Sequence, residues 1–429
     1  MNRRTSALAI GLIALILVLS IARTHSSAAS ADPEVVAFVG AKIYTSPADP
    51  PISNGTVIIR GDKIAAVGKT GTLSIPPDAK QIDCKGAVIT AAFQNSHVHF
   101  TEPKWTAAEK QPADKLARQL FVMLVRYGFT TVVDLGSFIE NTVALRKRIE
   151  SGEVMGPKIL TAGGGLFPPN GAPFYVRESL PPEILKMLPQ PPTPDEAVQV
   201  VKAEIAGGAD VIKLFTGSLI GPDQVKLMPE PIAVAAVSEA HAHDRLVFSH
   251  PSNVEGAQVA IDARVDVLAH TTSVRGIWSE QMIAQMKRQH MSLVPTLKLW
   301  KYEAAKAGAS PEDQLQFQTR AAKNLTAYAN SGGQILFGTD VGYMTDYDPT
   351  EEYAAMSRAG LTPMQILASL TTAPAERFGE SNKRGRIAKG MDADLVILES
   401  DPLEDATNFA KVRTTYRAGR PILEFLPNM

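Results

Sequence analysis

Gln94-Asn95-Ser96-His97-Val98-His99-Phe100 follows the apolar run Ala87-Val88-Ile89-Thr90-Ala91-Ala92-Phe93, which predicts a buried strand over 87–93. In a strand, residues two apart share a side, so His97 and His99 present two imidazoles to one point. A divalent metal asks this of two ligands held at about 2 Å. A second H-x-H, His241-Ala242-His243, ends the helical pattern of 231–240. On a helix, residues two apart do not face each other. His241 and His243 are therefore read as solvated helix-end residues without a metal role.

Working outward, further strands are predicted over 129–135, 158–162, 209–215, 246–250, 266–270, 292–297 and 335–339. Helical patterns fall between most of them, as in 113–127, 194–205 and 321–330. Eight strands alternating with helices predict an α/β fold, a (β/α)8 TIM barrel over 87–383. A doubly wound sheet would want a G-x-G-x-x-G turn after its first strand, and Gly163-Gly164-Gly165 follows the third strand without that spacing. Short strand patterns flank this region, among them Gly55-Thr56-Val57-Ile58-Ile59-Arg60 and Asp394-Leu395-Val396-Ile397-Leu398. Both chain ends, 32–86 and 384–429, are expected to build one small β-sandwich domain.

The predicted strands end in chemistry. The first leads to His97 and His99, and the fourth carries Lys213 inside an apolar run. The fifth ends in His250, the sixth in His270 and the eighth in Asp340. Barrel enzymes hold their reactive groups at such C-terminal strand ends. Taken singly, His250 or His270 would be a hydrogen-bonded core histidine, and Asp340 a cap for the next segment. Five strands in order make a site. A buried ammonium at Lys213 is costly unless paired. Desolvation lowers its pKa and leaves a nucleophilic amine, to which carbon dioxide can add. The resulting carbamate could bridge two cations; the alternative is a plain ion pair with a barrel carboxylate.

At the N-terminus, Arg3 and Arg4 precede an apolar run over 7–18 and the small residues Ala29-Ser30-Ala31. These are the marks of an export signal over 1–31, cleaved to leave Asp32 first. A kept membrane anchor is the other reading, although the run is short for a spanning helix. Cleavage would remove Arg3, Arg4 and Arg23 and no acid, so 43 basic residues become 40 against 44 acidic, a formal net charge of −4. So mild a charge argues against nucleic acid or an anionic membrane as partner. The single cysteine, Cys84, permits no internal disulfide and is read as structural.

These motifs resemble the amidohydrolase superfamily, in the branch of imidazolonepropionase-like and Xaa-Pro dipeptidase-like enzymes. The resemblance runs from about 35 to about 423. It rests on the H-x-H, Gly208-Ala209-Asp210-Val211-Ile212-Lys213, His250, His270, Val294-Pro295-Thr296-Leu297 and Phe337-Gly338-Thr339-Asp340-Val341-Gly342. Gly390-Met391-Asp392-Ala393-Asp394-Leu395-Val396 resembles the family's return strand. The chain departs at Asn95, where the family usually has an acid, and at Ala91-Ala92, where it has Pro-Gly; neither is a ligand position. The resemblance implies two divalent metals, zinc before manganese, cobalt or iron. His97, His99 and Asp340 would hold one, His250 and His270 the other, and carboxylated Lys213 would bridge them. A water between the metals would become the nucleophile, with Asp340 taking its proton and returning it to the leaving nitrogen.

Substrate recognition is less explicit. Segment 166–194 carries nine prolines, and insertions at that rim serve as lids, specificity walls or plain surface excursions. Segment 343–353 offers Asp346, Asp348, Glu351 and Glu352, either for a basic substrate group or as a solvated loop. Three functions fit. The first is an exported hydrolase of a peptide, N-acyl amino acid or cyclic amide, acting alone or as a homo-oligomer. The second is a lactonase or phosphotriesterase on the same centre, and the third a metal-free binding protein. No G-x-S-x-G elbow supports a serine nucleophile.

Overall fold

A computed structural model describes residues 34–221, 224–272 and 276–422. The expected export signal lies outside the described residues. Among those residues, no helix is long and apolar enough to cross a membrane.

Five strands open the described chain: β1 (Val35–Tyr44), β2 (Ile52–Arg60), β3 (Lys63–Lys69), β4 (Lys80–Asp83) and β5 (Val88–Ala91). Next come β6 (Phe93–Val98), β7 (Phe129–Asp134), β8 (Lys158–Thr161), β9 (Gly165–Leu166) and β10 (Val211–Phe215). A hairpin, β11 (Gly217–Gly221) and β12 (Gln224–Leu227), leads to β13 (Leu246–His250), β14 (Val267–Ala269), β15 (Ser292–Val294) and β16 (Gln334–Ile335). The described chain closes with β17 (Leu395–Leu398), β18 (Val412–Arg417) and β19 (Arg420–Pro421).

Strands from both ends of the chain meet in one eight-stranded mixed sheet, in the order β19-β18-β17-β5-β1-β2-β3 with β4 also on β1. β1 is long enough to pair β4 through Val36–Val39 and β5 through Lys42–Tyr44. Between them Gly40 takes φ +88°, a conformation glycine adopts freely. Alternate residues serve two cores, Phe38, Val57 and Ile59 on one side, Ala37 and Ile58 on the other. The strands form one continuous ladder, and no separate second layer of a sandwich is drawn among the described residues. Cys84 is buried in this sheet's core, where burial pushes its thiol up to about 11.

The strand expected over 87–93 divides at Ala92. β5 pairs with β1 and β17, whereas Ala92 N donates to Asp394 O and Phe93 N to Gly128 O as the chain crosses into β6. His97 thus stands inside a strand and His99 just past its end. Both halves are buried on every side, so no periodicity marks the break.

Apart from the antiparallel β11–β12 hairpin, the remaining strands form two parallel sheets, β6-β7-β8 and β16-β15-β14-β13-β10-β9, and not a single closed ladder. Backbone bonds nevertheless cross at both seams. Asp210 N donates to Thr161 O at 2.8 Å, Ser96 N to Phe337 O at 2.7 Å and Asp340 N to His97 O at 2.8 Å. Regular pairing of the last expected strand stops at Ile335. A Cβ on Gly338 would lie 2.3 Å from Val294 Cγ1 and 2.8 Å from His97 Cβ, so only glycine lets this segment lie against β6.

The connecting helices are punctuated by ordinary signals. In Pro194–Gly207 the Thr193 hydroxyl accepts from Glu196 N, proline stands in the first turn, and Gly208 ends the helix at φ 107°. The helix Glu280–Arg288 buries Met282, Ile283 and Met286 on one stripe. Helix 231–240, expected to end before the second H-x-H, runs as Glu230–Ala242. There His241 bonds Asp266 and His243 bonds Glu239, both exposed and apart from the strand-end cluster.

Candidate active site

His97, His99, His250, His270 and Asp340 come together at the strand ends. His97 Nε2 lies 3.3 Å from His99 Nε2, and Asp340 Oδ1 lies 3.2 Å from the first and 2.9 Å from the second. The His270 ring stands 4.6 Å from both the His97 and the His250 rings, centroid to centroid. Ligand atoms of His97, His270 and Asp340 all lie within 4.8 Å of one another. That grouping puts His270 beside the H-x-H as well as beside His250.

The far side of each ring fixes which nitrogen is free. His99 Nδ1 lies 3.0 Å from Gly136 O and can only donate to it, which leaves Nε2 as the lone pair. The Thr296 hydroxyl donates to Pro295 O, so it accepts from His270 Nδ1 at 2.6 Å, and His270 also presents Nε2 inward. The Ser252 hydroxyl donates to Gly217 O and so accepts from His250 Nε2 at 3.1 Å, freeing Nδ1 instead. With ligand atoms of His97, His270 and Asp340 grouped together and His99 Nε2 2.9 Å from Asp340 Oδ1, imidazole nitrogens and a carboxylate converge in a buried space. Burial pushes the pKa of His97 and His250 down to about 3 and that of His270 well below its usual value. His99 moves the other way: burial opposes its charge, but the Asp340 carboxylate outweighs it. Burial likewise opposes the Asp340 charge, yet His97 and His99 hold its carboxyl well below the usual range. This donor set fits a divalent metal.

Lys213 is 1% exposed, and its Nζ lies 5.6 Å from the Phe215 ring centroid. Among the described residues no carboxylate pairs with it. Burial draws its pKa down to about 7 against the pull of Asp340. The plain ion pair, one of the two roles expected for this lysine, is thus not what the fold builds around it.

Asp134 escaped the sequence reading as a positioning group, whereas Asn95 stood out there as a departure from the family's pattern. Asp134, fully buried at the end of β7, accepts from Gly136 N, Ser137 Oγ and Thr161 Oγ1 and so holds the turn whose carbonyl orients His99. Asn95 Oδ1 accepts from His97 N and Thr339 N, both at 3.2 Å, while its Nδ2 donates to Thr339 Oγ1 at 2.7 Å. The amide in place of the family's acid thus ties the H-x-H strand to the Asp340 segment. His270 (φ 75°) and Asp340 (φ 60°) both occupy the left-handed region, at a cost of about 1–3 kcal/mol each. These kinks re-aim the two side chains where their strands end.

The amidohydrolase family model matches residues 88–422. The chain belongs to the amidohydrolase family. Ochratoxinase from Aspergillus niger is 26% identical over 422 aligned residues, covering 89% of this chain and 85% of that protein. Among solved structures, a Xaa-Pro dipeptidase with bound methionine in its active site superposes with TM-score 0.77 at 23% identity, over 90% of this chain and 99% of that one. A putative prolidase from Bifidobacterium longum gives TM-score 0.75 at 23% identity, over 91% and 95%. Ochratoxinase itself gives 0.74 at 21% identity, over 91% and 96%.

In this amidohydrolase the proline-rich segment is anchored over the site. Phe167 packs on Phe215 with centroids 4.4 Å apart, and Phe215 stacks on His250 at 4.9 Å. Arg177 donates to Ile220 O of the β11–β12 hairpin, and Ser218 donates to Gly171 O. Tyr175 meets Tyr343 at 5.6 Å. Shortening residues 174–188 is expected to change relative rates across a substrate panel at unchanged metal content; identical relative rates would make the segment surface decoration.

The acids of 343–353 are occupied by the chain itself. Asp346 pairs with Lys298 at 2.8 Å, and Glu351 pairs with Lys301 and Arg358. Glu352, buried and pushed up to about 7 by that burial, accepts from Leu297 N and Lys298 N at the start of the helix Leu297–Lys306.

Proposed function

We propose that this chain is an exported, metal-dependent amidohydrolase that cleaves an amide-like C–N bond in a short peptide, N-acyl amino acid or cyclic amide. The observation that carries it is the convergence of His97 Nε2, His99 Nε2 and Asp340 Oδ1 within 3.3 Å, each imidazole turned inward, next to His270. The family membership and the likeness to ochratoxinase support hydrolysis of a C–N bond. The two parallel sheets are read as arcs of one (β/α)8 barrel, on the strength of the backbone bonds at both seams.

His97, His99 and Asp340 would hold one divalent ion, zinc by preference, and His250 with His270 a second, with Lys213 as its carbamate between them. When bound, the metals supply an acidified water and a Lewis acid for the scissile carbonyl. Asp340 takes the proton of the attacking water and returns it to the leaving nitrogen, so the amine departs neutral. Gly136 O, Thr296 and Ser252 keep the three rings in the tautomers the site needs. Phe167, Phe215 and Tyr175 shield the reacting centre from bulk water.

Elemental analysis, together with a hydrolysis screen of dipeptides and N-acyl amino acids against lactones, tests this reading. The expected result is two divalent ions per chain and amide cleavage that a chelator abolishes. Lactone cleavage without amide cleavage, or a metal-free protein, would overturn it. Export is expected to yield a mature chain beginning at Asp32, checked by N-terminal sequencing of secreted material. Intact chain in the membrane fraction would indicate a kept anchor.

A further inference from the structure

Among the described residues, Glu303 is held by a tyrosine and not by a base. It projects from the helix Leu297–Lys306, which begins right after Thr296, the residue that orients His270. Three residues earlier on that helix, Trp300 lies 6.1 Å from the His270 ring. Residues three apart on a helix are neighbours, with Cβ atoms about 5–6 Å apart, so Glu303 stands one step out from the His270 edge. Tyr343 OH donates to Glu303 Oε1 at 2.8 Å, and the Tyr343 ring meets Tyr175 at 5.6 Å and Tyr302 at 6.4 Å.

In the neighbouring loop Asp346 is matched by Lys298 and Glu351 by Lys301 and Arg358, while Asp348 accepts from Thr350 and Glu352 from two backbone N–H groups. Among the described residues, no lysine or arginine pairs with Glu303. Lys306 instead lies over the Tyr343 ring at 5.5 Å. Glu303 is half-buried, and one of its oxygens is already committed to Tyr343, which fixes the direction of the other. A carboxylate so held is a receptor for a compact cation.

We propose that Glu303, framed by Tyr343 and Tyr175, receives the free ammonium group of the substrate, and that the substrates are aminoacyl compounds with an unblocked amino terminus. This rests on the proposed amide hydrolysis and narrows its substrate class: dipeptides or aminoacyl amides are favoured over N-acyl amino acids. The ammonium would sit on the helix that carries Trp300, with the scissile carbonyl inward of it. Blocking the amine removes the charge and sets an acyl group against a carboxylate that cannot donate to it.

The test is calorimetric binding of phenylalanine and N-acetylphenylalanine to the zinc-loaded full-length protein, wild type and Glu303→Gln. Glutamine keeps an acceptor for Tyr343 and removes only the charge, so a merely structural Glu303 would leave the ligand preference unmoved. Wild type is expected to bind phenylalanine at least about tenfold more tightly than its N-acetyl form, with Glu303→Gln erasing that difference by weakening phenylalanine alone. Equal or reversed preference in wild type, an unchanged preference in Glu303→Gln, or binding of neither ligand would each overturn the proposal. Failure of the amide reading shows separately, as lactone turnover without amide turnover.

Discussion

Lys213→Arg is expected to bind less metal than wild type and to lose turnover by at least about a thousandfold. Two divalent cations beside an unmodified ammonium would repel it, and at short range in a poorly solvated space that repulsion is large. Lys213 is 1% exposed and pairs directly with no carboxylate among the described residues, so burial outweighs the pull of Asp340 on its charge. A carbamate reverses the sign of the group and adds two oxygen donors. Arginine stays protonated and cannot form one. Lys213→Ala is expected to lose metal and activity together, and a short carboxylate added in solution is expected to restore part of both. Metal stoichiometry measured alongside turnover in the three proteins decides. Two metals with full activity in Lys213→Arg would remove the bridging role.

The ligand-bearing ends were legible because parallel strands buried on both faces read as unbroken apolar runs. β10 (Val211–Phe215) and β13 (Leu246–His250) stand where their runs predicted. A polar residue interrupting or ending such a run is conspicuous, and that made Lys213, His250 and His270 visible. The same property hid the break at Ala92, since the apolar run Ala87–Phe93 continues across it from a strand of one sheet into a strand of another. The β11–β12 hairpin went unseen because its strands are short and half-exposed.

The orienting groups were illegible for another reason. His99 is oriented by Gly136 O and His270 by Thr296, 37 and 26 residues away. A backbone carbonyl has no sequence signature, and Thr296 is one of many threonines. Asp134 looked like any acid at a strand end until Gly136, Ser137 and Thr161 were found converging on it. The acids of 343–353 looked available for a basic substrate. The sequence held no sign that Lys298, a buried lysine on another element, would turn its ammonium toward Asp346. Which charges a fold uses internally depends on tertiary pairing, which the sequence does not display.

Asp340→Asn is expected to lower kcat by about 10²–10⁴-fold, the usual contribution of a positioned acid–base group. The amide is the right replacement because the position lies at φ 60°, and asparagine tolerates the left-handed region where alanine would add strain. It also keeps the side-chain volume and an oxygen able to face His97 and His99. What it removes is the charge and the capacity to carry a proton from water to the leaving nitrogen. His99 is also expected to lose its raised pKa, since the Asp340 carboxylate is what outweighs the cost of its burial. Three measurements separate the roles: metal content, kcat on the best amide substrate, and kcat on an amide with an activated leaving group. If proton delivery to nitrogen is the lost function, the activated amide should recover much of its rate in Asp340→Asn, because its leaving group needs little protonation. If metal content falls with kcat for both substrates, the carboxylate acts chiefly as a ligand. A variant with wild-type metal content and rates on both substrates would show that the catalytic proton travels by another route, and Asp340 would lose its role.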